Sequence, residues 1–196
     1  MKMIYKKFEL NQEIPVRNVL KNKKLIKYFN RETANGIVCL SELLMNIDID
    51  PETPFFYETG LVEYEDFGLN NITKTCIENG KFSQKAFVEK GMSSISPLTQ
   101  FKILLNMPLC FFSIENNLIA DNAVIYSSAT GLLTHAYLAE TDRDILLGSG
   151  KVNSDGSVES GFMLIKSEEL NLLKGNFEGK EGIEIFRSLN AGVINA

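Results

Sequence analysis

The chain has 196 residues, 44% of them hydrophobic, and a net charge of −5 at pH 7. This composition favours one folded domain with a substantial core, because disordered chains lack the apolar residues that offset the entropy lost on folding. The acidic balance argues against a nucleic-acid partner, since phosphate backbones bind basic surfaces. No apolar run approaches the roughly 20 residues that span a bilayer, so we expect no membrane segment.

The cysteines indicate a reducing, cytoplasmic setting. Cys39, Cys76 and Cys110 lie far apart in the sequence and match neither a metal-binding spacing nor a disulfide framework. Each lies in an apolar pattern, so we expect three buried free thiols. Charged residues interrupt the first residues of the chain, which therefore lack the apolar core of a signal peptide.

The first half of the sequence predicts alternating strands and helices. Asn30 is the expected N-cap of an amphipathic helix over 32–46. Five residues, Phe55 to Thr59, predict a buried strand that closes at Gly60. The other predictions are a strand at 4–10, a basic helix or a loop followed by one at 15–29, a helix at 66–79, a helix at 83–90 capped by Ser83, and a helix that starts at Pro97 and stops before Pro108.

The second half predicts a second series of strands and one strongly apolar helix. We expect extended chain at 110–114, a strand at 123–127, a helix at 129–140, a strand at 144–147 that runs into glycines, a turn at 153–156 and a strand at 161–166. Residues 168–196 have no clear assignment. The order of strands and helices predicts an α/β fold in which helices are layered on a mixed sheet.

The junction between the strand at 123–127 and the following helix is the first candidate site. It places Ser128 at a helix N-terminus, where free N–H groups and the helix dipole favour negative charge. His135, the single histidine of the sequence, lies seven residues further along, about 10 Å along a helix axis. Because that is too far for direct proton transfer from Ser128, we expect a partly buried, hydrogen-bonded structural histidine and no Ser-His-acid triad.

Two other patterns predict no cofactor and no metal. Gly148-Ser149-Gly150 leads into a turn, whereas a phosphate-binding loop leads into a helix. The acidic residues at 63, 65 and 66 have no further ligands nearby in the sequence, so a solvated helix start is favoured over a metal site. The sequence therefore predicts neither a cofactor nor a metal site.

Several segments occur in an order that is similar to one known family. They are a helix at 30–47, a strand with a glycine end at 54–60, Ile95-Ser96-Pro97, Asn106-Met107-Pro108, Asp121-Asn122, Tyr126-Ser127-Ser128-Ala129-Thr130-Gly131, and strands at 144–150 and 160–165. Over residues 24–166 the chain thereby resembles the N-terminal half of β-ketoacyl synthases, in the thiolase-like superfamily. The stretch at 126–131 is similar to the family's Thr-Ala-Cys-Ala-Thr-Gly nucleophile motif.

The resemblance implies a fold and a set of site residues. It implies a thiolase-like half-domain over residues 1–166, with a mixed sheet of about five strands, and a C-terminal extension of uncertain structure over 167–196. It places Ser128 at the position of the nucleophilic cysteine, and Met107 and Thr130 at substrate-binding positions. A serine hydroxyl is much less acidic than a thiol and needs an adjacent base to attack a thioester.

The resemblance also bears on activity. The family's two histidines belong to its C-terminal half, which this sequence does not include, and His135 matches neither of them. We therefore expect no independent condensing activity. The first hypothesis is a non-catalytic synthase-like subunit that partners a full synthase or an acyl carrier protein in polyketide or fatty-acid-like biosynthesis. The alternative is a serine-dependent acyltransferase or thioester hydrolase that uses Ser128 with a base from a partner chain. A decayed gene fragment is a third possibility.

The expected partners follow from the same resemblance. Family members dimerise through the strand that precedes the nucleophile, here 123–127, and a half-domain leaves the apolar helix at 129–139 partly exposed. Exposed apolar patches and open strand edges both indicate partner surfaces, so we expect a homo- or hetero-oligomer. The basic stretch at 21–27 is the expected docking place for an acidic carrier protein, although such stretches are commonly solvated helix faces.

Overall fold

The structure, a computed structural model, describes residues 1–61, 69–94, 97–139, 141–173 and 177–192. The strands are β1 (Lys2–Phe8), β2 (Phe55–Thr59), β3 (Ile77–Glu78), β4 (Lys81–Phe82), β5 (Asn122–Tyr126), β6 (Ile145–Val152) and β7 (Val158–Ile165). The α-helices are α1 (Arg31–Leu43), α2 (Leu69–Cys76), α3 (Gln84–Ala86), α4 (Met92–Ser94), α5 (Pro97–Ile103), α6 (Met107–Asn116), α7 (Ala129–Leu138) and α8 (Ile183–Asn190). Short 3₁₀ turns lie at Val16–Asn18, Lys23–Tyr28 and Ser167–Leu173, and a π-helical turn at Phe87–Gly91.

Five of the described strands form one mixed sheet in the order β1-β7-β6-β2-β5. The strand β2 is parallel to both β5 and β6, whereas β6, β7 and β1 pair antiparallel. All five residues of β2 are buried, because helices cover both faces of the parallel part of the sheet. These observations confirm the predicted α/β class, with a mixed sheet of about five strands layered with helices.

The helices form one layer on each face of the sheet. On the first face, α1 and α6 pack over a cluster that includes Phe55, Tyr57 and Phe162. On the second face, α7 and α8 pack over a cluster that includes Phe56 and Leu147. The period-2 alternation of strand side chains places neighbouring β2 residues in opposite layers. The expected N-cap of α1 is confirmed, since the Asn30 side chain accepts a hydrogen bond from the Thr33 N–H.

The helix α8 contributes directly to the second layer. The side chains of Ile183, Ile185 and Phe186 are fully buried. The Phe186 ring lies against Gly161 of β7, where an added Cβ would stand only 2.2 Å from its Cγ. Arg187 also donates two hydrogen bonds of 2.6 Å to the buried Glu159 carboxylate of β7. The helix α8, which lies beyond residue 166, is therefore part of the packed core.

Two sequence predictions in the middle of the chain are wrong or incomplete. The segment 110–114, predicted as extended, belongs to α6, which starts at Met107 with Pro108 in its first turn. The predicted helix over 66–79 gives way after Cys76 to a β3–β4 hairpin. Its turn residues Asn79 and Gly80 both have positive φ, the conformation that an Asn-Gly hairpin favours.

Two further differences concern small residues. The strand β6 does not end at its glycines but continues through them to Val152. Tyr57 and Phe162 fill the space that a side chain at Gly148 would need, since an added Cβ would lie 2.5 Å from the Phe162 ring.

All three cysteines are free as expected, but Cys110 is only partly buried. Within the described residues, no helix is long and apolar enough to cross a membrane.

Candidate functional site at the amino terminus of α7

The candidate site lies at the edge of the sheet where the three parallel strands end. In the register, Thr59 of β2 stands beside Tyr126 of β5 and Gly150 of β6. In α/β folds, ligands bind at the carboxyl ends of parallel strands, where loops and helix N-termini meet. The turn Ser127-Ser128 follows β5 at this edge and leads directly into α7.

The backbone of this turn gives each serine a different role. Ser127 has a φ of 48°, a left-handed conformation that is uncommon for a residue other than glycine. Ser128 is extended, and its Oγ accepts a 3.0 Å hydrogen bond from the Gly131 N–H. Ser128 is therefore the N-cap of α7, a structural role that serine commonly fills.

The N–H groups of the turn are bound within the chain. The Ser127 N–H donates to the Thr59 carbonyl at 3.0 Å. The Ala129 N–H donates to the Lys180 carbonyl at 2.8 Å. Segment 177–182 thus lies over the start of α7, and the Thr130 hydroxyl also donates to the Phe177 carbonyl at 3.4 Å.

Glu181 attaches this segment to the surrounding strands. Its carboxylate accepts a 2.7 Å hydrogen bond from the Leu61 N–H and a 3.4 Å bond from the Ser127 hydroxyl. It also forms an ion pair with Lys151 of β6, and both side chains are largely buried. The ion pair is therefore shielded from the solvent that weakens surface pairs.

A second carboxylate, Glu58 of β2, is buried beneath the turn. Ser149 stands beside it on β6 and donates a 2.6 Å hydrogen bond to its Oε2. Its Oε1 is buried without a hydrogen-bond partner in the part of the chain that the structure describes. The pKa of the Glu58 carboxyl is raised to about 7, chiefly because the group is buried and in addition because Glu181 lies nearby. The Ser149 hydroxyl and the Gly182 and Ser128 backbone act in the opposite direction and limit the rise.

The other residues that the sequence singled out are dispersed. Met107 packs against the core layer of α1, on the opposite face of the sheet from α7. Thr130 lies in the first turn of α7, beside Ser128, and is exposed. The structure therefore brings Thr130 close to Ser128 but places Met107 in the other layer.

His135 is hydrogen-bonded as expected, with its Nδ1 2.9 Å from the Gly131 carbonyl oxygen and its ring 5.9 Å from the Phe56 ring. The expected partial burial is wrong, because the residue is exposed. The acidic residues at 63, 65 and 66 lie outside the described residues. Among the described residues, no group of three His, Cys, Asp or Glu side chains is placed to hold a metal ion.

Glu58, Ser149 and Glu181 are residues of this site that the sequence did not predict. A signal for Glu58 was present, since a single acidic residue two positions after Phe56 must share its buried face in a strand. Glu181 offered no comparable signal, because it reaches the turn from more than 50 residues away in the sequence.

The described residues around the turn do not form an acyl-transfer site. Such a site needs a base hydrogen-bonded to the nucleophile and free N–H groups aimed at the developing oxyanion. Within the described residues, no histidine or carboxylate hydrogen-bonds the Ser128 hydroxyl. The Ala129 N–H, which follows the serine, already binds Lys180.

Comparison with known proteins gives a partial structural match and no match to a family model or a curated protein. One similar solved structure is that of a type II PKS acyl-carrier protein in complex with its ketosynthase bound to the hexaketide, AntDE:AntF. The similar region has 13% sequence identity and a TM-score of 0.48, and covers 76% of this chain. It spans 51% of that chain, about half its length.

Proposed function

We propose that this protein is a non-catalytic ketoacyl-synthase-like subunit that partners a synthase or an acyl carrier protein in polyketide or fatty-acid-like biosynthesis. The observation that carries the proposal is the closed turn at Ser128. Its hydroxyl caps α7, and the next N–H is bound to the chain's own Lys180 carbonyl. A turn whose Ser127 and Ala129 N–H groups are already bound within the chain fits a structural role better than nucleophilic chemistry.

The alternative function is a serine acyltransferase or thioester hydrolase that uses Ser128. Its support is the position of a half-exposed serine at a helix N-terminus, where an anion is favoured. The base would have to come from a partner chain, since no base within the described residues is hydrogen-bonded to the Ser128 hydroxyl. Both functions place the protein in the same cytoplasmic setting, which its free thiols fit.

Substitution of Ser128 separates the two functions. We expect Ser128→Asn to keep the cap of α7 and the wild-type affinity for a full synthase and carrier protein from the same source. We expect Ser128→Ala to keep that affinity too, while losing about 1 kcal/mol of stability with the cap. Affinity is measured by calorimetry, stability by urea unfolding, and serine acylation by intact mass after treatment with a fluorophosphonate. A mass increase in the wild type that both variants lack would establish the enzyme instead.

The partner surface that we propose surrounds the edge strand β5. This strand ends the sheet, so one of its sides has no neighbouring strand within the described residues. Exposed apolar side chains lie before, on and after it: Ile114, Ile119, Tyr126, Tyr137 and Leu138. An open strand edge flanked by exposed apolar side chains is what a homo- or hetero-oligomer covers.

The carrier-protein surface that we propose is the basic stretch at 21–27. The carboxylate of Glu115 in α6 fixes it by accepting hydrogen bonds from the Lys21 and Asn22 N–H groups at 3.0 and 3.1 Å. Leu25 and Ile26 pack inward, which leaves four lysines exposed, at positions 21, 23, 24 and 27. In a chain of net charge −5, this is a local surface to which an acidic partner is attracted.

A charge placed at Leu138, one of these exposed apolar side chains, tests self-association. We expect the wild type to be a dimer at micromolar concentration and Leu138→Lys to be a monomer, because burying an unpaired ammonium in an apolar interface is costly. Met45→Lys is the matched control, since both side chains are 72% exposed and Met45 lies past the end of α1. Light scattering after size-exclusion chromatography gives the masses. A wild-type protein that is monomeric under these conditions contradicts the homodimer, as does a dimer that survives Leu138→Lys.

A further inference from the structure

Segment 177–182, here called the strap, crosses the N-terminus of α7 between two buried anchors. Phe177 at one end and Ile183 just beyond the other pack into the core layer of α7 and α8. The three residues that follow Phe177, at positions 178–180, are exposed. The strap is therefore held at its ends, while its middle lies on the surface over the turn.

The strap fills a hydrogen-bonding position at the start of α7. The first N–H groups of a helix have no partner within the helix. The Ala129 N–H is one of them, and it donates a 2.8 Å hydrogen bond to the Lys180 carbonyl. The hydrogen-bond acceptor at this N–H group is thus a neutral carbonyl oxygen.

A second polar atom lies beneath the strap with no partner. Glu58 Oε1 is fully buried and makes no hydrogen bond to the residues that the structure describes. Gly182 of the strap packs against this carboxyl, since a Cβ added to Gly182 would lie 2.9 Å from Glu58 Oε2. Buried polar atoms of this kind are rare in native proteins and indicate a missing partner. With a pKa of about 7, the Glu58 carboxyl is able to donate a hydrogen bond to a carbonyl oxygen when protonated.

The Glu181 side chain attaches the strap to the residues around it. Glu181 binds the Leu61 N–H, the Ser127 hydroxyl and the Lys151 ammonium. Removing this carboxylate takes away all three of these bonds at once, while the Lys180 and Phe177 carbonyls keep their bonds to the Ala129 N–H and the Thr130 hydroxyl. A loop held by few contacts opens at lower free energy than the core does.

We propose that the strap is a releasable stopper, and that its release uncovers a site for the carbonyl group of an acyl ligand between the Ala129 N–H and the Glu58 carboxyl. Release of the strap is independent of the proposed function, whereas the acyl nature of the ligand rests on it. In the proposed open state, the carbonyl of the ligand takes the place of the Lys180 carbonyl on the Ala129 N–H.

Hydrogen exchange of the Ala129 amide tests release of the strap without any partner protein. We expect Glu181→Ala to speed this exchange by about tenfold or more while the β6 amides stay protected. Glu184→Ala is the matched control, since Glu184 lies on the neighbouring helix turn and pairs with Arg187. If Glu181→Ala does not fold, Glu181→Gln removes the charge and keeps an acceptor for the Leu61 N–H. Unchanged exchange at Ala129 in a folded variant overturns the proposal.

The ligand is tested with the octanoyl thioester of N-acetylcysteamine as the probe. We expect millimolar probe to shift the Ala129 amide resonance in Glu181→Ala more than in the wild type or in Glu184→Ala. Faster exchange without such a shift overturns the acyl site, even where partner binding succeeds. Failure of partner binding instead overturns the proposed function and leaves the exchange result intact, so the two failures are distinguishable.

Discussion

Phe186→Ala is expected to lower the free energy of unfolding by about 3–5 kcal/mol, the range for removing a fully buried aromatic side chain. The Phe186 ring is buried against Gly161, where β7 has no side chain to fill the space that it would leave. Because the site lies between a helix and a strand that are both held by other contacts, collapse would close the cavity only in part. Urea unfolding followed by circular dichroism measures the change.

The size of this effect calls for two companion variants. A typical domain is stable by 5–15 kcal/mol, so Phe186→Ala alone could unfold the chain. Phe186→Leu keeps most of the apolar volume and should cost less, which leaves a measurable transition. Leu172→Ala, at an exposed position in the Ser167–Leu173 turn, should change stability by less than about 0.5 kcal/mol. A Phe186→Ala protein as stable as the wild type would contradict the packing of α8.

The same experiment bears on the division of the chain that we propose, with a synthase-like half-domain over 1–166 and an extension after it. The extension supplies Leu170, Leu173 and Phe177 as well as the buried face of α8 to the second core layer. A single cooperative transition that shifts in Phe186→Ala would mean that the two parts fold as one unit.

Local patterns in the sequence were sufficient for most of the sheet. The apolar run of β2, the cap Asn30 and the turn between β6 and β7 are each specified by neighbours in the chain, so pattern reading found them. The β3–β4 hairpin was missed although its Asn79-Gly80 turn was visible, because Gly80 was interpreted as the end of a helix. The segment at 110–114 was missed because a short apolar run fits a strand and a buried helix equally well.

The candidate site depended more on contacts between distant parts of the chain. Local sequence placed Ser128 at the start of α7, and the structure has it there as the N-cap. The closure of that turn depends on Lys180 and Glu181, whose contacts with it arise only when α8 folds back onto the sheet. No periodicity in the sequence encodes such a long-range contact.

Glu58 makes the stability of the protein depend on pH in a direction unusual for a carboxylate. Burial raises its pKa from the ordinary 4.5 to about 7 in the folded state. Between those two pH values the folded chain keeps a proton that the unfolded chain has lost, so stability falls as the pH rises. The contribution is fully present below the unfolded pKa and is lost as the pH passes the folded pKa. A shift of this size corresponds to about 3 kcal/mol.

Glu58→Gln is therefore expected to remove this loss. Glutamine has a similar shape, keeps an acceptor for the Ser149 hydroxyl and does not ionise. We expect the variant to resemble the wild type at about pH 5, and to exceed it by up to about 3 kcal/mol at about pH 8.5. Glu89→Gln is the control, because Glu89 is exposed and its 3.9 Å pair with Lys85 is worth little. Urea unfolding across this pH range measures the difference, and parallel profiles for Glu58→Gln and the wild type would show that Glu58 does not hold a proton near neutral pH.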